Sequence, residues 1–216
     1  MKPTKSRFVT FATVVKPGIF ALFFLSCIVS SCKTVKKEPE PVPKEPVHIS
    51  RRLNAKGQLT ADQLAGFFVH ENPQKDLDEI YAFAVIYIEE AAAENINSDF
   101  AFAQMCHETG FLRFGGLVQP QWHNYCGLGA ISAEQPGCQF ETQRLGVRAH
   151  IQHIQAYATT EEVKLNNELV DPRYSWVHKT KYAVTIEELA ASWATDPEYG
   201  QKLEGLLTRM EAFVNN

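Results

Sequence analysis

Glu108 is the residue of this chain whose setting best suits acid–base chemistry. It follows an apolar segment, Phe100 to Cys106, and precedes a loop rich in glycine and phenylalanine. Ser98 or Asp99 can cap a helix that Gly110 ends, which would place Glu108 in the last helical turn. The negative end of the helix dipole disfavours an ionised carboxylate there. The position therefore favours a carboxyl group that stays protonated near neutral pH.

The residues after Gly110 strengthen this expectation. Phe111, Leu112 and Phe114 could exclude water from Glu108, and burial also raises the pKa of a carboxyl group. Glycoside hydrolysis needs such a group, because its acid must donate a proton to the leaving oxygen. The alternative is that Glu108 is a solvated helix residue, as most glutamates are.

The sequence predicts neither a metal nor a cofactor. His107 and Glu108 are adjacent, but Phe111 stands four positions after His107, so the His-Glu-x-x-His signature is absent. The chain contains no Cys-x-x-Cys pair. His150 and His153 could share one helix face around a metal, although a polar helix face is the commoner meaning of this spacing.

Residues 1–31 are typical of a bacterial lipoprotein signal peptide. Four basic residues precede an apolar run, Pro17 to Ser31, which is too short for a span of about 20 residues. Small residues stand directly before Cys32, so cleavage would leave Cys32 as a lipidated N-terminus. An uncleaved N-terminal anchor is the alternative. In either case we expect an exported, membrane-anchored protein facing the periplasm or the cell wall.

The charge of the mature chain argues against a nucleic-acid partner. Removal of residues 1–31 takes away four of the 21 basic residues and leaves 17 against 25 acidic ones, a net charge of −8. A protein of this charge gains nothing from a phosphate backbone. A neutral or zwitterionic glycan is a compatible partner.

The rest of the chain divides into a tether and one domain. Residues 32–57 contain four prolines interleaved with Lys and Glu, a composition that favours an extended spacer without a core. Residues 58–216 read as a mainly helical domain with loops or a short hairpin between 124 and 140. The predicted helices cover 60–69, 76–93, 98–110, 142–158, 186–194 and 197–214, with Thr60, Gln63, Asp196 and Pro197 as start signals.

Three cysteines remain in the mature chain besides Cys32. Cys126 and Cys138 flank a loop that contains glycine and proline, so we predict a disulfide between them, which an exported compartment permits. Cys106 lies on the apolar helix and is predicted to be a buried thiol.

The chain resembles the glucosaminidase domain family, which are peptidoglycan hydrolases with a lysozyme-like fold. The resemblance lies in four blocks that occur in family order after about residue 58: CHETGFLRFGG with HNYCGLG, FETQRLGVRAHIQHIQAYA, LNNELVDPRYSWV and WATDPEYGQKL. It implies a mainly α, lysozyme-like domain in which a small irregular or β lobe forms a cleft. It also implies that the substrate is the glycan strand of peptidoglycan.

The resemblance assigns roles around Glu108. Glu108 matches the family's general acid, and Tyr199 matches a tyrosine that the family places near that acid. Residues of the loop beside the cleft would contact N-acetyl sugars, with ordinary turn chemistry as the alternative; these are Asn124, Tyr125 and Gly127. Trp122 could line the cleft or simply pack, whereas Trp193 stands where many family members carry another aromatic residue and is expected to contact the substrate.

The second catalytic group is less clear from the sequence. In parts of the family a second carboxylate lies in the small lobe, and here residues 130–140 hold only Glu134. Glu141 is the alternative, although it could merely cap the helix that follows. Either could be a solvated loop charge. The acetamido group of the substrate could then assist, or the enzyme could act as a lytic transglycosylase.

Together these features predict a lipid-anchored endo-β-N-acetylglucosaminidase that cleaves peptidoglycan after N-acetylglucosamine. Its expected partners are peptidoglycan strands, the membrane through Cys32 and, less directly indicated, wall-remodelling proteins. The main alternative is a wall-binding lipoprotein without turnover. An amidase is a further alternative, but Cys106 and His107 are adjacent on a helix and point about 100° apart, which makes a poor catalytic pair.

Overall fold

A computed structural model describes residues 12–14 and 45–216 of the chain. Residues 45–216 lie within one compact unit, whereas Cys32 and the predicted signal peptide lie outside the described residues. The helices of this unit are α1 (Ala61–Glu71), α2 (Leu77–Ala93), α3 (Ser98–Thr109), α4 (Gln143–Ala158), α5 (Tyr174–Thr180), α6 (Ile186–Trp193) and α7 (Tyr199–Asn215). Within the described ranges, no helix is both long and apolar enough to cross a bilayer.

Most helices begin where local capping chemistry predicts. Thr60 and Gln63 form the expected capping box of α1, and Thr185 forms a second one at α6. The cap of α3 is Asn97 rather than Ser98 or Asp99, because its Oδ1 accepts from the backbone N–H groups of the next turn. The last helix begins at Tyr199, two residues later than predicted. Asp196, which was predicted to cap this helix, instead accepts from the Glu198 N–H within the preceding turn.

Helix α3 is the centre of the domain. Every residue from Ser98 to Cys106 is buried, and α3 packs against α1, α2, α4 and α7. A helix that is buried on all sides has no solvent face, which explains the run of phenylalanine and alanine in its sequence. This packing fixes the C-terminal end of α3, where Glu108 lies. Cys106 is a buried free thiol, as predicted.

The domain begins earlier than the predicted boundary at residue 58. Ile49 and Leu53 are buried in the main core, and the Leu53 N–H donates to the Val184 carbonyl at 2.9 Å. Arg51 bridges Glu204 and Glu211 of α7. The proline content of residues 32–57 predicted a free spacer throughout, but residues 47–57 carry enough apolar and charged side chains to attach to the helices.

A small lobe follows α3. Its two short antiparallel strands, β1 (Ala130–Ser132) and β2 (Gln135–Pro136), pair Ala130 with Pro136 and Ser132 with Gln135. The predicted fold class, mainly α with a small irregular or β lobe, is confirmed. Cys126 and Cys138 lie in one small hydrophobic cluster of this lobe, but both are free thiols, so the predicted disulfide is not formed.

Candidate active site

Glu108 is the second-last residue of α3, as the sequence predicts. Gly110 ends the helix in the left-handed conformation with φ of 55°, and Phe111 and Leu112 continue in that region with φ of 56° and 58°. Non-glycine residues pay roughly 1–2 kcal/mol each for this conformation. Such strain persists only where the surroundings hold it, and it clusters at functional sites.

Hydrogen bonds hold this left-handed turn. The Phe111 N–H donates to the Cys106 carbonyl at 2.7 Å, and the Leu112 N–H donates to the Thr109 hydroxyl at 2.9 Å. The side-chain amide of Asn72, the residue that caps the C-terminus of α1, donates to the Phe111 carbonyl at 2.9 Å. The end of α3 is therefore tied to a second helix, which fixes the direction in which Glu108 leaves the helix.

The carboxylate of Glu108 binds two neutral donors through one oxygen. Oε1 accepts from the Tyr199 hydroxyl at 2.6 Å and from Trp193 Nε1 at 2.9 Å. Oε2 makes no hydrogen bond within the part of the chain that the structure describes. One oxygen is thus held by the protein while the other is left for a ligand.

The pKa of Glu108 is raised above its ordinary value. Burial is the largest cause, and the hydrogen bonds from Tyr199 and Trp193 oppose it without outweighing it. The direction is as predicted from the sequence. Of the three residues predicted to exclude water from Glu108, Phe111 packs its ring on Phe67 and Phe68 of α1 instead.

Trp193 has a role that the sequence does not reveal. Its ring, at the end of α6, packs on His150, His153 and Tyr157 of α4, with ring centroids 6.2, 5.1 and 5.6 Å away. This packing aims the indole N–H at Glu108. Trp193 was predicted to contact the substrate. The structure shows that it packs and also donates to the carboxylate.

Tyr199 is buried at the start of α7 and connects Glu108 to the core. Its hydroxyl accepts from Gln104 Nε2 at 2.8 Å, and Gln104 Oε1 lies 3.0 Å from His150 Nε2. His150 Nδ1 in turn lies 3.0 Å from the Tyr87 hydroxyl. Sequence reasoning missed Gln104 and Tyr87. The available signal was a polar residue four positions before Glu108, on the same face of an otherwise apolar helix.

The loop before the small lobe uses its predicted sugar-binding residues internally. The Asn124 side chain is buried, donates to the carbonyls of Leu128 and Cys138 at 3.0 Å each, and accepts from the Leu128 N–H at 2.9 Å. Gly127 adopts φ of 66°, which suits a glycine in a turn. These contacts match the turn chemistry that the sequence allowed, and a sugar contact by Asn124 would have to replace one of them.

The two aromatic residues of the same region differ in exposure. Tyr125 is buried, with its ring 4.8 Å from that of Phe83 on α2. Trp122 is half-buried in a single 3-10 turn, Pro120–Trp122, whose last carbonyl accepts from the Phe140 N–H. Of this pair, Trp122 is the one with surface available to a sugar, whereas Tyr125 anchors the lobe to the core.

Neither predicted second carboxylate bonds to Glu108. Glu134 is exposed in the turn of the hairpin, where the Ser132 hydroxyl donates to it at 2.7 Å, and this bond lowers the pKa of Glu134. Glu141 is exposed directly before Thr142, and Thr142 rather than Glu141 caps α4. The structure therefore brings Tyr199 and Trp193 to Glu108, but it does not bring either glutamate into contact with it.

Comparison with known proteins identifies the family. The family model described as "Mannosyl-glycoprotein endo-beta-N-acetylglucosaminidase" matches residues 84–212, which include Glu108, Trp193 and Tyr199. A relative from Borreliella burgdorferi, itself uncharacterized, is 36% identical over 163 residues that cover 76% of this chain and 78% of the relative. No solved structure matches the chain. Since the family model spans more than half of the sequence and contains the site, the chain belongs to the glucosaminidase family.

Proposed function

We propose that this protein is an endo-β-N-acetylglucosaminidase that hydrolyses peptidoglycan, with Glu108 as its general acid. Membership of the glucosaminidase family suggests a glycoside hydrolase of the cell wall. The observation that carries the finer proposal is the state of the Glu108 carboxyl group. It has a raised pKa, one oxygen held by two neutral donors, and a second oxygen that accepts no hydrogen bond from residues 45–216.

The geometry supports proton donation from Oε2. Protonated Glu108 would give this proton to the glycosidic oxygen as the bond from that oxygen to the anomeric carbon breaks. The hydrogen bonds from Tyr199 and Trp193 stabilise the carboxylate that remains. A water molecule then adds to the anomeric carbon, and the proton that it releases restores the acid. The net reaction consumes one water molecule for each bond.

The identity of the second catalytic group decides between hydrolysis and lytic transglycosylation. Glu134 or Glu141 would have to approach the anomeric carbon from the small lobe to serve as a base or nucleophile, and both are exposed. Two catalytic carboxyl groups stand roughly 5 to 9.5 Å apart, and within the described residues neither glutamate makes a hydrogen bond to a residue of the site. This observation favours lytic transglycosylation as the second candidate, because a hydroxyl group of the substrate itself then replaces water as the attacking group.

Mass spectrometry of the soluble products from purified sacculi tests the proposal. We expect the full chain, in mild detergent, to release fragments with a reducing N-acetylglucosamine end, and the Glu108→Gln variant to release none. Glu161→Gln is the matched control, since Glu161 is an exposed loop glutamate. Fragments with anhydro-muramyl ends would show that the reaction is transglycosylation rather than hydrolysis. Free stem peptides would indicate an amidase, and binding to sacculi without any product would leave the wall-binding alternative.

We also propose that the protein is exported and anchored through a lipid on Cys32. The support is the order of a basic segment, a short apolar run and small residues before Cys32. Metabolic labelling with a radioactive fatty acid tests this directly. Label should be lost in Cys32→Ser and retained in Cys27→Ser, the control inside the predicted signal peptide. Label that remains in Cys32→Ser would contradict the anchor at that position.

A further inference from the structure

Four buried side chains from different helices form a hydrogen-bond chain that ends at Glu108. Tyr87 of α2 contacts His150 of α4, His150 contacts Gln104 of α3, and Gln104 contacts Tyr199 of α7. Tyr199 then donates to Glu108. The first three side chains are fully buried and Tyr199 is 3% exposed, so water does not compete for these bonds. We call these four residues the hydrogen-bond chain.

The proton positions in the hydrogen-bond chain follow from its last bond. The Tyr199 hydroxyl has one proton, which it gives to Glu108, so its oxygen must accept from the Gln104 amide NH₂. The Gln104 carbonyl oxygen therefore faces His150 and accepts from its Nε2–H. His150 Nδ1 is then a hydrogen-bond acceptor, and the Tyr87 hydroxyl donates to it. Every donor points toward Glu108.

The residues of the hydrogen-bond chain stay neutral near neutral pH. Burial, helped by His153, lowers the pKa of His150 to about 3, and burial raises the pKa of Tyr87 and Tyr199 well above the ordinary tyrosine value. The polarity of the chain is therefore constant across the pH range in which Glu108 titrates.

The remaining titratable groups near Glu108 lie on the small lobe, on α3 and on α4. From the small lobe the Cys126 thiol faces Glu108, and its pKa is raised by burial and by the Glu108 charge. From α6 only the neutral indole of Trp193 contacts it. On α3 itself, burial lowers the pKa of His107. From α4, His153 is separated from Glu108 by Trp193 and pairs with Asp171 at 2.8 Å.

We propose that Gln104 is a positioning residue that, held by His150 and Tyr87, orients the Tyr199 hydroxyl toward Glu108 Oε1 and so confines the proton of the acid to Oε2. This inference rests on the proposed function of Glu108. With Tyr199 and Trp193 both donating, the two lone pairs of Oε1 are occupied. Oε2 is then the one oxygen of the carboxyl group that can carry a proton, and it is also the oxygen left for the substrate.

The same arrangement tunes the strength of the acid. A hydroxyl that accepts a hydrogen bond becomes a better donor, because neighbouring bonds in a chain polarise one another. The Gln104 amide thus strengthens the bond from Tyr199 to the ionised carboxylate. Loss of the amide is expected to weaken that bond and to favour the protonated form of Glu108.

Direct titration of Glu108 in a double-mutant cycle tests the inference. The variants are Gln104→Met, Tyr199→Phe and the double variant, and the readout is the ¹³C chemical shift of the Glu108 carboxyl carbon, assigned by its absence in Glu108→Gln. Gln155→Met is the matched control, since Gln155 is a buried glutamine that accepts from a tyrosine, Tyr174, at 2.5 Å. The pH dependence of kcat/KM on sacculi is measured in parallel.

We expect Tyr199→Phe to raise the titration midpoint of Glu108 by about one unit, as expected for a lost hydrogen bond to a charged group. Gln104→Met should raise it by about half of that, and the double variant should match Tyr199→Phe alone. Gln155→Met should leave the midpoint unchanged. If urea denaturation shows that Gln104→Met is unfolded, Tyr87→Phe takes its place. We then expect a smaller rise in the titration midpoint of Glu108.

Two results would overturn the inference. One is an unchanged midpoint in the folded Gln104→Met variant, and the other is a shift that adds in full to that of Tyr199→Phe. Failure of the proposed function looks different. In that case the wild-type protein releases no glycan fragments, while the coupling between Gln104 and Tyr199 at Glu108 is still seen in the titration.

Discussion

Glu90 on α2 and Glu108 on α3 are both carboxylates drawn into the protein, and they differ in the charge of their partners. Glu90 accepts from Arg148 Nε at 2.9 Å and from Arg144 Nη1 at 3.0 Å. Glu108 accepts only from a phenol and an indole, within the described residues. Burial acts in the same direction on both, since it raises the pKa of a carboxyl group.

The partners decide the outcome. At Glu90 burial is the largest single influence, but the bonds from the two arginines together outweigh it and lower the pKa. At Glu108 the neutral donors do not outweigh burial, and the pKa is raised. A cation beside a buried glutamate therefore makes a structural ion pair, whereas neutral donors leave an acid that can still hold its proton.

Exchanging each glutamate for glutamine should separate these two roles most strongly. Glu108→Gln should lower the rate of glycan release by about 10²- to 10⁴-fold, the usual contribution of a general acid. Glu90→Gln should keep the rate but reduce the free energy of unfolding by about 2 kcal/mol, moderated by the exposure of Arg144. Product release and urea denaturation of both variants measure the two effects.

The comparison fails if the loss of activity is not confined to the Glu108 variant. A Glu90→Gln protein that is folded but inactive would give Glu90 a part in the reaction. A Glu108→Gln protein that keeps its activity would remove the acid from the proposed site. Wild-type kcat/KM should also fall as pH rises through the pKa of Glu108, because the acid must be protonated to donate.

Trp193→Phe should sharpen the role of the neutral donors. Phenylalanine keeps a ring for the contacts with His150, His153 and Tyr157 but lacks the N–H that bonds to Glu108. The pKa of Glu108 should rise further, and the alkaline limb of kcat/KM should move to higher pH. We expect kcat to fall by about tenfold, the equivalent of one charge-assisted hydrogen bond, with little change in KM.

A role for Trp193 as a sugar platform would give a different pattern. In that case Trp193→Phe would raise KM, while the alkaline limb of the kcat/KM profile would stay at the same pH. The pH–rate profile therefore distinguishes the two roles of this residue within a single experiment.

The pH dependence of stability should have opposite signs at the two glutamates. The depressed pKa of Glu90 stabilises the fold above the pKa of the unfolded chain, and this contribution is lost as pH falls through the folded-state pKa. The raised pKa of Glu108 does the reverse, since its contribution is present at acid pH and is lost as pH rises through the folded-state pKa. Glu108→Gln should therefore gain stability over the wild type as pH rises from the unfolded-state pKa through the raised folded-state pKa of Glu108.

Urea denaturation at several pH values measures this difference. The gain of Glu108→Gln over the wild type should grow as pH rises between the unfolded-state and folded-state pKa of Glu108 and then level off, and the loss in Glu90→Gln should shrink at acid pH. A gain in Glu108→Gln that is independent of pH would mean that the carboxyl group of Glu108 is not desolvated by the fold.

The sequence predicts the parts of this protein that depend on neighbours in the chain. The capping boxes act over three residues, so the start of α1 is found from Thr60 and Gln63. The cap of α3 is missed because Asp99, an equally good cap, accepts instead from the Gln58 and Leu59 N–H groups, 41 and 40 positions away. Helix α5 has seven residues and no side-chain cap, which leaves no local signal to read.

The site follows the same division. Glu108 is found because its motif is continuous, and Tyr199 because the resemblance assigns it. The hydrogen-bond chain joins residues that are 46 to 95 positions apart, so no spacing in the sequence reveals it. Likewise, the attachment of residues 47–57 depends on partners near the C-terminus, such as Glu211, which proline content cannot predict.

Glu134 and Glu141 offer the smallest expected effects and complete the comparison with a third kind of carboxylate. Both are exposed, and within the described residues the Glu134 carboxylate accepts from the Ser132 hydroxyl, which in turn accepts from the Glu134 N–H. Solvated carboxylates without a partner in the site are poor candidates for a nucleophile or base, so Glu134→Gln and Glu141→Gln should each change kcat by less than about threefold. A loss of about a hundredfold or more in one of them would identify the second catalytic group, because that is the scale of acid–base catalysis. It would also mean that this carboxylate lies within roughly 5 to 9.5 Å of Glu108 when a glycan strand binds, the separation that two catalytic carboxyl groups need.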